Sequence, residues 1–566
     1  MSGITRELPK TLYSAKQAKR IDQAWIRSHP VTGYQLMCRA GLGLWHLMQG
    51  SLTAGARIVI LVGAGNNGGD GYVVARLAHE QGYSVLIVYS TPPRNLKGPA
   101  REAAQICESA SIECQPWAGK LPPADVYVDA LLGIGFSPVM GSANPLKPPI
   151  NDMVAALNKV SVPIYSADIP TGIDADRGKL TNLAVKATAT VTFITCSPGL
   201  LTGSAVDYVG ELWFDDLGVP DEVLQSFAST INCLGRAQIP TQAALNRVRS
   251  RSLSAHKGDF GHVVIVGGDL GLGGAALMAA EAALMAGAGK VSLITRPEHV
   301  PAALVRVPEV MVLGVDVKSS EEVLRKANDV LMQASVAVLG VGLGLGEWGI
   351  NLAQLTFEYS KALVLDADVL NLLADRSLSW PDANTPRVMT PHPKEAARLL
   401  NTTVPNVEND RLYAAEKCRD RFRAQVVLKG AGTVVSRYSG SHSQSTLIHA
   451  GNPGMASGGT GDVLSGVIGA LVAQGLPVDL AAVNGSLLHA VAGDEAAERL
   501  GQVGLRASEL PRYVRQLLAK PVGPMLPEAL SSSTVTDTLS LAVKDVRNSQ
   551  AVASSSSPSA ASAFDA

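Results

Sequence analysis

From residue 57 onward, short β-branched apolar runs alternate with longer Ala-rich stretches in which apolar positions recur at helical spacing. The runs at 58–62, 84–89, 126–129, 162–167 and 191–195 read as strands. The stretches at 72–81, from 99 and at 150–157 read as helices. Strand, helix, strand in series predicts a parallel sheet with crossover helices, whose ligands sit outside the carboxyl ends of the strands. Residues 63–71, 129–135 and 168–174 all fall at such ends, so three loops are expected to converge on one crevice. The rhythm lapses between about 218 and 256, where Pro, Gln, Ser and Arg mix, and then restarts. Runs at 263–266, 290–295, 336–339, 362–366, 387–390 and 426–429, with an Ala-rich helix at 275–286, describe a second domain of the same class. The prediction is an α/β protein of two domains, 1–235 and 236–522. From 523 to 566 the chain is Ser/Ala-rich and too poor in large apolar groups to pack, so a disordered tail is expected.

Composition narrows the function classes. At 566 residues the chain is too long for one ordinary core. Hydrophobic residues make up 46% and charged ones 17%, as in a well-buried globular protein. Lys+Arg at 48 against Asp+Glu at 49 leaves no net field to hold nucleic acid or an anionic membrane. Cys38, Cys107, Cys114, Cys196, Cys233 and Cys418 lack metal-site or disulfide-framework spacing, which fits a reducing cytoplasm. Residues 1–26 carry no apolar signal core, and the longest apolar stretches, 334–346 and 463–478, are Gly-rich or too short to span a bilayer. Small-molecule partners are therefore expected, with no nucleic acid and no membrane.

Two glycine-rich segments carry the chemistry. Gly63-Ala64-Gly65-Asn66-Asn67-Gly68-Gly69-Asp70-Gly71 follows a strand and precedes a helix, with the glycine spacing of a dinucleotide fingerprint. The acidic residue that such a fingerprint needs at the end of the second strand is missing, since that strand ends Val88-Tyr89-Ser90. An ordinary NAD-dependent dehydrogenase is disfavoured. Asn66, Asn67 and Asp70 instead offer oxygens suited to a hard cation, although Asn and Gly in a loop are also ordinary turn formers and Asp129 and Asp168 could be helix caps. Far downstream, Lys429-Gly430-Ala431-Gly432-Thr433 closes a strand and Gly458-Gly459-Thr460-Gly461-Asp462 opens a helix-like run from 463. Free N–H groups at a helix start can surround an anion while Asp462 serves as a base for an accepting hydroxyl. That is a phosphoryl-transfer site without a Walker signature.

Asn66 to Gly71, then Asp129-Ala130-Leu131-Leu132-Gly133-Ile134-Gly135, then Asp168-Ile169-Pro170-Thr171-Gly172, resemble the NAD(P)H-hydrate epimerase domain over roughly the first 220 residues. The resemblance implies that Asn66, Asn67, Gly68, Gly69, Asp70, Gly133, Ile134, Gly135, Phe136, Ser137, Pro138, Val139 and Asp168 contact the damaged cofactor. It also implies that Asn67, Asp129 and Thr171 hold a potassium ion, with Thr171 standing where many members have Ser. Asp168 is the candidate acid/base.

From about 254 to 514, Gly267-Gly268-Asp269, Gly340-Val341-Gly342-Leu343-Gly344, Asp366-Ala367-Asp368, Thr390-Pro391-His392-Pro393-Lys394-Glu395, Asn452-Pro453-Gly454 and the Asp462 loop resemble the ribokinase-like NAD(P)H-hydrate dehydratase. That resemblance implies substrate contacts at Ala275, Gly342, His392 and Asp462, and nucleotide contacts at Lys429, Gly430, Ala431, Gly432, Thr433 and Gly461. Val341 replaces the proline usual in the family's loop. Together the two resemblances imply an N-terminal Rossmann-like three-layer sandwich fused to a ribokinase-like α/β domain. They imply a bifunctional NAD(P)H-hydrate repair enzyme acting on NADHX and NADPHX, with K+ at the epimerase site, ADP as phosphoryl donor and Mg2+ assisting, in a homo-oligomer. A vitamin-precursor kinase and a non-catalytic cofactor-binding protein are the alternatives.

Overall fold

The computed structural model describes residues 3–136, 146–382, 384–440 and 442–519. Among these, a seven-stranded all-parallel sheet runs in the order Glu113–Pro116, Ser84–Tyr89, Arg57–Val62, Val126–Ala130, Ile164–Ala167, Ala189–Phe193, Glu211–Asp215. The central strand shows why the apolar runs are unbroken. Ile58, Ile60 and Val62 pack into one core with the helices Gly33–Gln49, Asn66–Glu80 and Gly98–Ser109, while Val59 and Leu61 pack into another with Ile150–Leu157. A strand covered on both faces has no polar side to show. The result is the expected three-layer sandwich. Its strand order reverses between Arg57–Val62 and Val126–Ala130, which opens the crevice at their carboxyl ends.

The second sheet has eleven strands, in the order Thr11–Leu12, Ile231–Gly235, His442–His449, Thr433–Ser439, Gln425–Leu428, Arg387–Met389, Leu363–Leu365, Val336–Leu339, His262–Val266, Lys290–Thr295, Met311–Gly314. From Gln425–Leu428 to Met311–Gly314 all pairs are parallel, and the order reverses between His262–Val266 and Val336–Leu339. The helices Gly273–Met285 and Thr460–Ala473 cover one face through small residues. A Cβ on Gly466 would lie 2.2 Å from the Ala279 carbonyl oxygen, so the two helices meet nearly backbone to backbone.

The two lobes are one compact unit through residue 519. The strand Thr11–Leu12, from the start of the first lobe, is the outermost strand of the second sheet, pairing antiparallel with Ile231–Gly235. Residue 235, where the sequence suggests a boundary, ends a strand that runs parallel to His442–His449. Leu12, Ile173, Leu200 and Leu201 share a hydrophobic core with Leu365, Met389 and Val434. The expected tail from 523 lies outside the described residues. All six cysteines are free thiols, and no described helix is long and apolar enough to cross a membrane.

Both glycine-rich segments begin their helices earlier than the pattern predicts. The first helix spans Asn66–Glu80 and takes in Gly68, Gly69 and Gly71; the second starts at Thr460, placing Asp462 in its first turn. Close packing, which local propensity does not register, supports these turns. A Cβ on Gly69 would lie 2.3 Å from Met37 Cε, and one on Gly71 would lie 2.7 Å from Ala130 Cβ.

Candidate active sites

In the first lobe the loop after Arg57–Val62 touches the loop after Val126–Ala130. The Gly63 N–H donates to the Ala130 carbonyl at 3.0 Å. A Cβ on Gly63 would lie 1.8 Å from the Leu131 carbonyl oxygen, and one on Gly68 would lie 2.2 Å from the Gly63 carbonyl oxygen. Glycine is thus demanded by contact rather than by turn geometry. Asn67 and Asp70, just inside the helix, are both 8% exposed. Neither Asn67 Nδ2 nor Oδ1 has a hydrogen-bond partner, an expensive state for a buried amide unless a ligand completes it.

Asp129 is fully buried and accepts from the Thr171 N–H at 2.8 Å, the Thr171 hydroxyl at 2.7 Å, the Ser166 hydroxyl at 3.0 Å and the Leu131 N–H at 3.3 Å. Burial raises its pKa, and those hydrogen bonds oppose the rise. Thr171 Oγ1 also accepts from the Leu132 N–H at 3.0 Å. Asp168 sits at φ +65, a left-handed conformation costly for a residue other than glycine and typical of functional positions. Its Oδ2 accepts from the Ile134 N–H at 2.9 Å. A Cβ on Gly133 would lie 2.8 Å from that oxygen and 3.2 Å from Asn67 Cβ, so the three loops do meet. Burial pushes the Asp168 carboxyl up to about 6 against the Ile134 hydrogen bond, with the nearby Asp22 adding to the rise. Asp70 is raised well above the usual carboxylate range by burial, then by Asp168 and Asp22.

Asp22 is the residue that sequence reading missed. It lies on the helix Ala15–Ser28, and its Oδ1 is buried without a partner. A signal was present, because Ala18, Ile21 and Trp25 mark the buried face and Asp22 is four residues after Ala18 on that face. Of the other expected contacts, Asn66 and Gly135 are exposed, whereas Ile134 and Phe136 are half-buried. Ser137, Pro138 and Val139 lie outside the described residues.

The second site assembles at the carboxyl ends of Gln425–Leu428, Arg387–Met389 and Leu363–Leu365, facing the start of the helix Thr460–Ala473. Lys429 Nζ donates to Asp366 Oδ1 at 2.7 Å, and the Ser465 hydroxyl donates to Asp366 Oδ2 at 2.7 Å. A Cβ on Gly461 would lie 3.2 Å from Lys429 Nζ, which brings the strand-end loop and the helix start together. Gly459, at φ +96, supplies the left-handed turn before the helix. Asp462, in the helix's first turn, is pushed up to about 7 by burial and then by Asp366, while Lys429 pulls it down. Burial pulls Lys429 down, but Asp366 and Glu395 outweigh it and raise the ammonium overall. The site is a carboxylate poised near neutrality beside a fixed positive charge.

His392 caps the helix Pro393–Leu400, its Nδ1 accepting from the Lys394 and Glu395 N–H groups at 3.1 and 3.2 Å. That leaves Nε2 as the N–H edge, 3.4 Å from Glu395 Oε1, of an imidazole whose pKa burial and Lys429 lower. Glu395 accepts from the His392 N–H at 2.8 Å and is itself pushed up to about 7 by burial. Gly342, at φ +59, packs against Ala275: a Cβ on it would lie 3.2 Å from Ala275 Cβ. Val341 is buried and its carbonyl accepts from the Gly268 N–H at 3.1 Å. Among the described residues no group of three or more His, Cys, Asp or Glu side chains could hold a metal.

Residues 33–199 match the family described as YjeF-related protein N-terminus, and residues 263–516 match the family described as NAD(P)H-hydrate dehydratase. The chain is 38% identical to the bifunctional NAD(P)H-hydrate repair enzyme Nnr of Coxiella burnetii over 90% of this chain and 99% of that relative. It is 39% identical to the Escherichia coli K12 protein of the same name over 89% and 93%, and 36% identical to the bifunctional NAD(P)H-hydrate repair enzyme of Leishmania major over 92% and 96%. Among solved structures, the ADP/ATP-dependent NAD(P)H-hydrate dehydratase of Bacillus subtilis, co-crystallised with ATP and Mg2+, aligns at a TM-score of 0.41 and 26% identity. That alignment covers 48% of this chain and 95% of the Bacillus one.

Proposed function

The chain belongs to the family of bifunctional NAD(P)H-hydrate repair enzymes, and on that premise we propose how its two lobes divide the work. The first lobe interconverts the R and S hydrates of NADH and NADPH; the second dehydrates the S form. The observation that carries the second assignment is Asp462, near neutrality at a helix N-terminus and beside Lys429.

Hydroxide leaves a saturated carbon poorly, and a phosphate ester leaves well. Asp462 takes the proton of the hydrate hydroxyl as its oxygen attacks the terminal phosphorus of ADP, and AMP departs. Lys429 and the N–H groups at the start of Thr460–Ala473 offset the charge on the moving phosphoryl group. The ring nitrogen lone pair then expels phosphate, and loss of the proton at C5 restores the C5–C6 double bond. Ala275, Gly342 and His392 hold the nicotinamide end, and Lys429, Gly430, Ala431, Gly432, Thr433 and Gly461 hold the nucleotide. Mg2+, where present, would supply positive charge to the transferring phosphate; among the described residues no group of three or more His, Cys, Asp or Glu side chains forms a cage for it.

In the first lobe, Asp168 protonates the departing hydroxyl and deprotonates the returning water. A pKa of about 6 lets it do both near neutral pH. Asn67, whose buried amide oxygen lacks a partner, fits a monovalent cation together with Thr171 and Asp129. When bound, potassium supplies positive charge that orders the three loops and offsets substrate phosphate. Recovery of reduced-nicotinamide absorbance from hydrated NADH tests the whole reading. The protein with ADP should restore the absorbance of both epimers, and side-by-side turnover with ATP decides the donor. No recovery with either nucleotide overturns it.

A further inference from the structure

The nucleotide loop of the second lobe is fastened to a residue of the first. Thr202 is fully buried and lies outside both regions that match family models. Its hydroxyl donates to the Gly432 carbonyl at 3.0 Å and accepts from Arg411 Nε at 3.1 Å. Arg411, 1% exposed, spends the rest of its guanidinium on the same loop and its support. Nη2 donates to the carbonyls of Lys429 at 3.0 Å and Leu428 at 3.3 Å, and Nη1 donates to Glu408 at 3.0 and 3.1 Å. The loop has no room to move toward either partner. A Cβ on Gly432, at φ +63, would lie 1.9 Å from the Leu201 carbonyl oxygen, and one on Gly430, at φ +135, would lie 2.8 Å from Arg411 Nη2. A second tie runs alongside, Arg177 Nε donating to Asp410 at 3.0 Å, and Asp410 caps the helix Arg411–Phe422 by accepting from the Tyr413 N–H.

We propose that Thr202 and Arg411 are the positioning pair for the nucleotide loop at 429–433, so that the dehydratase's affinity for its phosphoryl donor is built by both lobes. The proposal rests on the reading that this loop holds the nucleotide. Carbonyl oxygens fixed by buried donors, with the Lys429 N–H held by the Pro391 carbonyl at 2.9 Å, keep the loop in one conformation before any ligand arrives, which lowers the ordering cost of binding. Loss of the Thr202 hydroxyl strands Arg411 Nε in the buried interior and takes this donor from the half-buried Gly432 carbonyl. Neither group touches the reacting atoms, so the loss falls on nucleotide binding and not on the chemical step.

The test uses the full-length chain with hydrated NADH and varied ADP. Thr202→Val keeps the shape and removes both hydrogen bonds; it should raise the KM for ADP about tenfold, equivalent to about 1.4 kcal/mol, with kcat within about twofold. Thr202→Ser restores the hydroxyl and should return KM to within about twofold of wild type, and epimerisation should not change in either variant. Arg411→Lys keeps the charge but lacks the fork that reaches Thr202 and both carbonyls; it should reproduce the KM rise and serves alone if Thr202→Val does not fold. Ala431→Asp, an exposed change, puts a negative charge on the loop itself. If it raises KM for ADP while Thr202→Val and Arg411→Lys do not, the positioning role is overturned and the loop reading survives. If Ala431→Asp leaves KM unaltered, both fall. A Thr202→Ser chain as impaired as Thr202→Val also overturns the positioning role, because shape and not the hydroxyl would then be at work.

Discussion

Asp462 and Asp168 lie in different lobes, yet burial lifts both, to about 7 and about 6. For Asp462 the consequence is kinetic, since only the ionised form accepts a proton. Dehydration at saturating substrate should climb about tenfold from pH 6 to pH 8 and level off above, following one ionisation near 7. Asp462→Asn should lose on the order of 10²-fold or more in dehydration and keep normal epimerisation, measured on the R and S hydrates separately. Near-normal dehydration in that variant would exclude the base role. For Asp168 the consequence is also thermodynamic. A carboxyl whose folded pKa exceeds its unfolded value binds more protons when folded, so its contribution to stability is full below about pH 4 and is lost as pH rises toward 6. Melting temperatures of wild type and Asp168→Asn, compared from pH 4 to pH 7, should therefore diverge in favour of the variant as pH rises. Asn67→Ala should slow epimerisation and blunt its dependence on potassium; an epimerase equally fast in sodium would contradict the cation site.

At the scale of elements, the glycines of the first loop separate into those the packing needs and those it does not. Gly63→Ala places a methyl 1.8 Å from a backbone oxygen, which cannot swing aside as a side chain can, whereas nothing lies within 4 Å of a Cβ on Gly65. The first change should abolish epimerisation and lower the melting temperature by several degrees, and the second should leave stability near wild type, as calorimetry can check. The sequence identifies both as a glycine fingerprint without distinguishing them, because the difference lies in Leu131, which is remote in the chain. The same limit explains what else was legible. The strands Lys290–Thr295 and Val336–Leu339 and the helix Ile150–Leu157 fall where their periodicity predicts, since each buries an unbroken apolar run or stripe. Asp129, Asp168 and Asp462 are read at strand or helix ends, where chain-local signals suffice. The pairs that give those residues their surroundings, Asp22 with Asp168 and Lys429 with Asp366, join distant segments, and no local pattern announces them. The strand Ile231–Gly235 was illegible for another reason. Its residues Ile231, Asn232, Cys233, Leu234 and Gly235 carry too little β-branched bulk, and it forms by pairing with His442–His449 on one side and Thr11–Leu12 on the other.

Taken whole, the molecule is two catalytic lobes sharing one hydrophobic seam. Leu12 is fully buried in the core that includes Leu201 of the first lobe and Val434 of the second. Leu12→Ala should cost about 2–5 kcal/mol at that seam. The temperatures at which epimerisation and dehydration are each half lost should fall together; a drop in one alone would show that the lobes yield independently. The place of Thr11–Leu12 in the second sheet also bears on how the chain comes off the ribosome. Its partner strand Ile231–Gly235 is held on the far side by Ser445 to His449, so the docking site for residue 12 is not complete until residue 445 has been made. At 5–20 residues per second that interval lasts about 20–90 s. The Tyr13 N–H can find the Cys196 carbonyl as soon as the first lobe is made, so the segment around residue 12 docks on one side early, and the seam closes late, when the hairpin of the second lobe arrives to complete the sheet.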